Sequence, residues 1–453
     1  MDNFDRAVSA IPRNQLQSFK WDLGTCLPDE LVNRIEALLK NQKQINSIAL
    51  ITDSDCKVNR NTSSSIDLVQ FSKLESLSWK GLKHYNDFES VRAFISAHGA
   101  QLKTLCLDLI GWDSAVLAWR RGFLRNSPQD TGLPDNFFAR SVLCLQHGKL
   151  IRPFPALKCL TLTQVSFHPM QAEMVNALNV EGLRALQLSN CPGIFSWLRQ
   201  VLRSGTPLNL KSLELVFNPE LANQIIDEAF DNVTDTVTKF LQSFQGLEDL
   251  YLMLPQQTDW QAMSEGIAHH SSTLKRLVTH HLDRTEWLGS TDGDLLLKTA
   301  ELQSPIRSTS LQFYGVSVST QKLATHQDTF NDCVILSPNV KLLHLRASGS
   351  EMSEQTHNEP LLTSQAMKTL YRFAHWAFSS EGSPNLQVLA YGDFSHNNHF
   401  SNYNVILCRS GDGYRELDCP DGIYWDLVQD NKDMLAACSC DELIVGRGMP
   451  DFT

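Results

Sequence analysis

The chain has 453 residues and a formal net charge of -11, from 50 acidic and 39 basic side chains. An acidic chain without a basic run is repelled by the phosphate backbone, so nucleic-acid binding is disfavoured. Hydrophobic residues make up 42% of the chain, which is enough for a continuous core and excludes wholesale disorder.

The sequence contains no segment typical of targeting or of membrane insertion. Its first residues lack the apolar run of a signal peptide, and no stretch approaches the roughly 18 apolar residues of a spanning helix. We therefore expect a cytoplasmic or nuclear protein that has no membrane partner and keeps its 11 cysteines reduced.

One six-residue frame recurs along the chain: an apolar residue, two variable residues, a second apolar residue, one variable residue and a third apolar residue. Six of the ten intervals between successive frames match the period of leucine-rich repeats, which is about 20–29 residues. The interval between Leu102 and Leu157 spans about two periods, so a repeat there has lost its pattern or an insertion replaces it. The first apolar residues of the frames are Leu16, Ile45, Leu74, Leu102, Leu157, Leu183, Leu210, Leu247, Leu274, Val340 and Leu386.

The frame indicates strands that only neighbouring copies can bury. Alternate strand residues point the same way, so the second and third apolar residues face one side together. Apolar residues at helical spacing lie between frames at 28–40, 88–98 and 194–203. The predicted fold class is α/β: a leucine-rich-repeat solenoid with a curved parallel sheet on the concave side and helices on the convex side. The alternative is an ordinary α/β domain with leucine-rich strands.

The pattern changes near residue 404. We predict a degenerate leucine-rich-repeat solenoid over 1–403 and a C-terminal strand and helix cap over 404–453. The cap begins with two short strands, 405–408 and 414–417, and continues with an amphipathic run that would shield the open end of the repeats. Irregular intervals between frames require insertions, which we place near 108–156, 283–335 and 346–363.

One repeat carries a more specific signature, LRALQLSNCPGI from Leu183 to Ile194. It resembles the cysteine-containing repeats in the leucine-rich-repeat region of F-box-like proteins, particularly the divergent fungal ones. The resemblance extends as a pattern over roughly residues 10–400. It implies a non-enzymatic scaffold that recognises another protein. The family usually has Asn or Cys at one position after the strand, where the polar group ties neighbouring turns together, and here only Cys191 and Asn218 fit.

An F-box is the second hallmark of that family. The first frame already begins at Leu16, which leaves too little chain for an F-box ahead of the repeats. The segment 27–32 imitates an F-box opening and would make Leu27, Pro28 and Leu31 adaptor contacts. The regular spacing of the frames on either side of it favours a convex helix of the first repeat. An alternative function is therefore a substrate receptor of a cullin-based ubiquitin ligase with a cryptic or missing F-box.

Motifs of catalysis are weak in this sequence. We find no nucleophile elbow and no glycine-rich phosphate loop, and we predict no catalytic residue, no cofactor and no metal site. A second alternative is an enzyme that uses C-terminal Cys and His residues. Structural zinc usually needs paired CxxC motifs or a comparable His pair. The alternation at Cys438 and Cys440 is more simply explained by a buried strand or helix end.

Outward strand positions indicate where a partner would bind. They are small and mildly polar in the first half of the chain and become larger and charged from Glu214 onward. Because interfaces are enriched in aromatic residues and arginine, we expect contact energy at the second half of the concave face. The expected partner is another protein on that face, and the alternative partner is the ubiquitin-ligase adaptor. The predicted partner-binding residues are Asp249, Tyr251, Arg276 and His344.

Overall fold

The computed structural model forms two compact units, the first from residues 1–209 with 441–453 and the second from residues 210–440. Each unit is a stack of strands and helices in chain order. The structure describes residues 6, 10–22, 29–52, 66–82, 85–109, 138–146, 152–168, 170–217, 231–254, 259–280, 310–318, 339–347, 364–380, 382–394, 404–411, 413–418 and 420–439.

The described part of the first unit has six parallel strands, and each of the first five is hydrogen-bonded to the strand that follows it in the chain. Equivalent residues of the frame lie opposite each other, as Leu77 does to Leu105. One copy of the repeat therefore stacks on the next with no slip of register. The strands are β1 (Ser18–Asp22), β2 (Ser47–Ile51), β3 (Ser76–Lys80), β4 (Thr104–Asp108), β5 (Cys159–Thr163) and β6 (Ala185–Ser189).

In the described part of the first unit, four α-helices follow strands. They are α1 (Asp29–Lys40), α2 (Tyr85–His98), α3 (Gln171–Ala177) and α4 (Ile194–Ser204). The helices predicted at 28–40, 88–98 and 194–203 are thus confirmed within a few residues. Helix α1 lies between the paired strands β1 and β2 and buries Ile35 and Leu39, as a helix of the first repeat does. Leu27, Pro28 and the side chain of Leu31 lie outside the described residues.

The two faces of the strands in the first unit differ in burial. In β2, Ile48 and Leu50 are fully buried, whereas Ser47, Ala49 and Ile51 are only half-buried. We call the side of the second and third frame residues the helix face, and the other side the open face. The core of the repeats is the helix face, because burial of its leucines removes the most apolar surface from water.

The second unit has eight strands. The first six strands are parallel and pair with one another in chain order. The last two strands continue the pairing in antiparallel orientation. The strands predicted at 405–408 and 414–417 are confirmed as this terminal hairpin. The strands are β7 (Ser212–Val216), β8 (Asp249–Met253), β9 (Arg276–His280), β10 (Phe313–Val318), β11 (Leu342–Ala347), β12 (Val388–Tyr391), β13 (Val405–Ser410) and β14 (Gly413–Leu417).

Among the described residues, five α-helices accompany these strands. The first three follow β7, β8 and β11 along the chain, and the last two follow the terminal hairpin. They are α5 (Asp231–Gln242), α6 (Trp260–Ala268), α7 (Ser364–Ala377), α8 (Gly422–Asp430) and α9 (Lys432–Leu435). Within the described part of the chain, no helix combines the length and the apolar character that a membrane crossing requires.

The sequence frame missed one repeat. Strand β10 lies inside the insertion predicted at 283–335 and pairs with β9 and with β11. Its buried residues Leu311, Tyr314 and Val316 repeat the spacing of the frame, with a tyrosine in the place of a leucine. The other residues of that insertion, 283–309 and 319–335, lie outside the described residues.

The structure also explains the long interval between Leu102 and Leu157. Strand β4 pairs with β5 residue by residue, so no lost repeat adds a strand there and the interval is an insertion. Of the predicted insertion 108–156, residues 110–137 and 147–151 lie outside the described residues. Of the third predicted insertion, near 346–363, Arg346 and Ala347 belong to β11, and residues 348–363 lie outside the described residues.

Cys191 provides the local link between turns that the resemblance to cysteine-containing repeats implies. Its buried Sγ lies 3.3 Å from the carbonyl oxygen of Leu162, one repeat earlier, and 3.4 Å from that of Ser189. Burial raises the pKa of this thiol to about 12, so it stays protonated and can donate. Stacked parallel strands, outer helices and this contact make the fold a leucine-rich-repeat solenoid of the α/β class.

Candidate functional site

The open face differs between the two units. In the first unit it carries small side chains that are half-buried, such as Ser78, Cys106, Thr161 and Gln187. In the second unit, strands β7, β8 and β9 are buried on both faces after their first residue. Something therefore covers the open face of the second unit.

The covering element is the C-terminal segment, which we define as residues 420–439. Tyr424 and Val428 project from α8 and Met434 and Leu435 from α9, and Ala437 and Cys438 follow. These side chains form one apolar cluster with residues of the open face. The open-face residues of the cluster are Val216, Tyr251, Met253, Val278, Leu342 and Ala390, and Phe394, Ile406 and Leu417 complete it.

Two buried charged residues hold the end of the C-terminal segment. Glu214 Oε1 on β7 accepts a hydrogen bond of 2.8 Å from the backbone N–H of Cys438. On β11, Arg346 Nη1 donates a bond of 2.7 Å to the carbonyl oxygen of Cys438 and a longer one of 3.4 Å to that of Ala437. The other guanidinium nitrogen, Nη2, forms a buried ion pair of 2.8 Å with Asp393. We call Glu214, Arg346 and Asp393 the latch.

Three of the four predicted partner-binding residues lie together. Asp249 and Arg276 are opposite each other on β8 and β9, and Arg276 Nε donates to Asp249 Oδ1 over 2.6 Å. The Arg276 side chain is 35% exposed and that of Asp249 is 15% exposed. Burial raises the pKa of Asp249, and the charge of Arg276 opposes that shift. The pair is the accessible part of the predicted site.

Tyr251 is adjacent to this pair but does not face solvent. It is 4% exposed, and its ring belongs to the apolar cluster under the C-terminal segment. Its hydroxyl is buried without a hydrogen-bond partner among the described residues. Burial raises the pKa of the phenol well above its usual range, so it stays neutral.

His344 is separated from the other three residues by strand β10. It is fully buried, and its Nε2 lies 2.8 Å from the carbonyl oxygen of Gly392. Because a carbonyl oxygen can only accept, Nε2 carries the proton of the neutral ring. Burial lowers the pKa of His344 to about 4, and its ring contacts those of His280 and Phe394 at centroid distances of 5.6 and 5.5 Å. In this arrangement His344 holds neighbouring side chains and presents no surface to a partner.

The latch and the C-terminal segment that covers the open face were not predicted from the sequence. The signal that could have revealed them is the outward residue directly after the third apolar position of the frame. In the first unit that residue is polar in every strand except β2, where it is Ile51, whereas in the second unit it is Val216 in β7 and Met253 in β8 and is polar in β9, β10 and β11. Apolar residues at an outward position indicate a face that another element covers.

In the described part of the chain, no group of three or more possible metal ligands occurs. Cys438 is buried three residues after the end of α9. Burial raises the pKa of the Cys408 thiol. His396, His399 and Cys440 lie outside the described residues.

Comparison with known proteins finds a likeness among solved structures. No protein-family model matches the chain, and no curated protein is similar to it. The chain is similar to a chain in the crystal structure of the Rad7 and Elc1 complex in yeast, with 11% sequence identity and a TM-score of 0.36, over 70% of this chain and 73% of that one. A likeness this low carries no argument, and the fold assignment rests on the strand register and burial of the chain itself.

Proposed function

We propose that the chain is a non-enzymatic scaffold that binds another protein through the open face of its repeat strands. The observation that carries this proposal is the half-exposed open face of the first unit. There, in-register parallel strands place small polar side chains in adjacent rows. Stacked repeats of this kind provide extended surfaces for partners.

The second unit would add contacts at its accessible charged pair. We propose that Asp249 and Arg276 contact the partner directly, since part of each side chain reaches solvent. Tyr251 and His344 would support that surface from beneath, because both are buried in the covered state. The four predicted residues then have two different roles in one binding region.

A finer proposal is a substrate receptor of a cullin-based ubiquitin ligase with a cryptic or missing F-box. The specific observation in its favour is Cys191, whose Sγ links consecutive turns in the repeat that most resembles those of F-box-like proteins. Co-purification with the ligase adaptor would separate this function from that of a scaffold acting alone.

The experiment that tests the scaffold is a pair of charge insertions on the open face. Ser78→Arg on β3 and Gln187→Arg on β6 place long cations where the partner would pack. Loss of one central contact commonly weakens binding by about 2 kcal/mol, which is roughly 30-fold in Kd. The matched control is Ala172→Arg, at an exposed position of α3.

The readout is quantitative affinity purification followed by titration of the purified partner. We expect both open-face variants to lose the partner and the helix variant to keep it, with unchanged thermal unfolding in all three. Equal binding by all variants would remove the open face from the proposal. Stoichiometric zinc in the purified protein would instead favour the enzyme alternative.

A further inference from the structure

The C-terminal segment buries one side against the open face and exposes the other. Of its twenty residues, six are buried and eight are exposed. The α8 surface includes Ile423, which is 51% exposed, and α9 has only four residues. Segments with few buried contacts open locally more readily than the strands beneath them.

The surface under the segment has the character of a binding groove. Val216, Met253, Val278, Leu342 and Phe394 would form an apolar patch if the segment left. The open face of the first unit has small polar residues instead. Contiguous apolar surface of this kind marks sites where an amphipathic helix docks.

The latch recognises the backbone and not a particular side chain. Glu214 accepts from the N–H of Cys438, and Arg346 donates to the carbonyl oxygen of the same residue. Cys438 adopts a left-handed conformation, with φ of 54°, which turns both backbone groups toward the latch. Buried ion pairs such as that of Arg346 and Asp393 often contribute register rather than stability. Any segment that ends in this turn can make the same bonds.

We propose that the open face of the second unit is a binding groove for an amphipathic helical segment of a partner protein. In the structure the C-terminal segment occupies this groove, and the partner segment can displace it. A partner segment with apolar residues three to four positions apart, followed by a left-handed turn, competes for the same groove. This inference deepens the proposed function, on which it rests, by naming the chemistry of one partner. Displacement would be driven by mass action, since two segments compete for one site.

The first test uses hydrogen exchange in the intact full chain. We expect backbone amides of residues 424–438 to exchange at least 100-fold faster than those of β8, because the segment opens while the strands stay folded. Arg346→Lys keeps the charge beside Asp393 but loses the forked donor, and it should speed exchange of the segment about tenfold further. Lys432→Ala, at an exposed position, should change nothing. Exchange of the segment at the same rate as β8 would overturn the proposal.

The second test measures binding. A protease site in the turn between β14 and α8 allows the folded full chain to be cut, and a dye-labelled peptide of residues 420–440 is then added in excess. We expect saturable exchange of the severed segment for the peptide, and none for a peptide with Met434→Asp and Leu435→Asp. A cut chain that keeps its own segment, or a second unit that unfolds on losing it, would contradict the inference. Neither result bears on the first unit, whose binding the Ser78→Arg and Gln187→Arg variants test separately.

Discussion

The substitution Tyr251→Phe should stabilise the protein. The ring of Tyr251 is packed in the apolar cluster, but its hydroxyl is buried with no hydrogen-bond partner among the described residues. A buried polar group without a partner costs about 1–3 kcal/mol. Phenylalanine keeps the ring and removes that group, and the small void left behind offsets part of the gain. The free energy of unfolding should therefore rise by somewhat less than that cost.

Calorimetry can measure this gain. For a unit of this size, about 1 kcal/mol corresponds to roughly 2–4 °C in Tm. The matched control is Tyr371→Phe, which removes a hydroxyl that donates to the carboxylate of Glu416 and should lower Tm or leave it unchanged. A lower Tm for Tyr251→Phe would show that the hydroxyl has a partner and would refute the reasoning. A tenfold loss of partner binding with normal stability would instead identify the hydroxyl as a direct contact.

Three further predictions follow from the same geometry. Leu160→Ala on the helix face should lower the free energy of unfolding by about 2–5 kcal/mol in a denaturant titration. Thr161→Ala on the open face should lower it far less. Equal effects of the two substitutions would contradict the assignment of faces. Arg346→Met removes the cation beside the buried carboxylate of Asp393 and should cost about 3–5 kcal/mol in the same assay, whereas a stability equal to that of the unchanged protein would show that the ion pair is dispensable. The pKa of His344 in the folded state, about 4, lies below its ordinary value of 6.5. The stability that the neutral ring contributes is therefore complete above pH 6.5 and is lost as pH falls toward 4. His344→Gln should flatten the profile of stability against pH in this range, and an unchanged slope would contradict the prediction.

The repeats were predictable because their signal is local and periodic. Leu77 and Leu105 recur at a fixed spacing, and each strand that carries the frame needs the same burial as its neighbour. Strand β10 was not recognised in the sequence because Tyr314 replaces a leucine and the preceding interval is irregular. The sequence pattern was sufficient to predict the fold, and only the less regular repeats had to be recognised from the structure.

The binding region was less predictable, for a physical reason. The bond between Glu214 and Cys438 joins residues 224 positions apart, and such a contact leaves no periodic trace in the chain. Asp249 and Arg276 were selected as outward residues, and the structure leaves them partly accessible. His344 was selected by the same criterion, but the packing of Phe394 and His280 around it depends on long-range folding.

The antiparallel hairpin at the end of the second unit has a consequence for self-association. Among the described residues, β14 pairs only with β13, and the backbone groups on its other edge are a template on which another chain could polymerise. Its outermost residues include Arg415 and Glu416, both exposed, and their charges would have to lose water before a neighbour could dock. The reversal of strand direction at β13 also breaks the parallel polarity that a further repeat would need. Both features oppose the addition of further strands at this edge, by which the sheet could otherwise grow into fibrils.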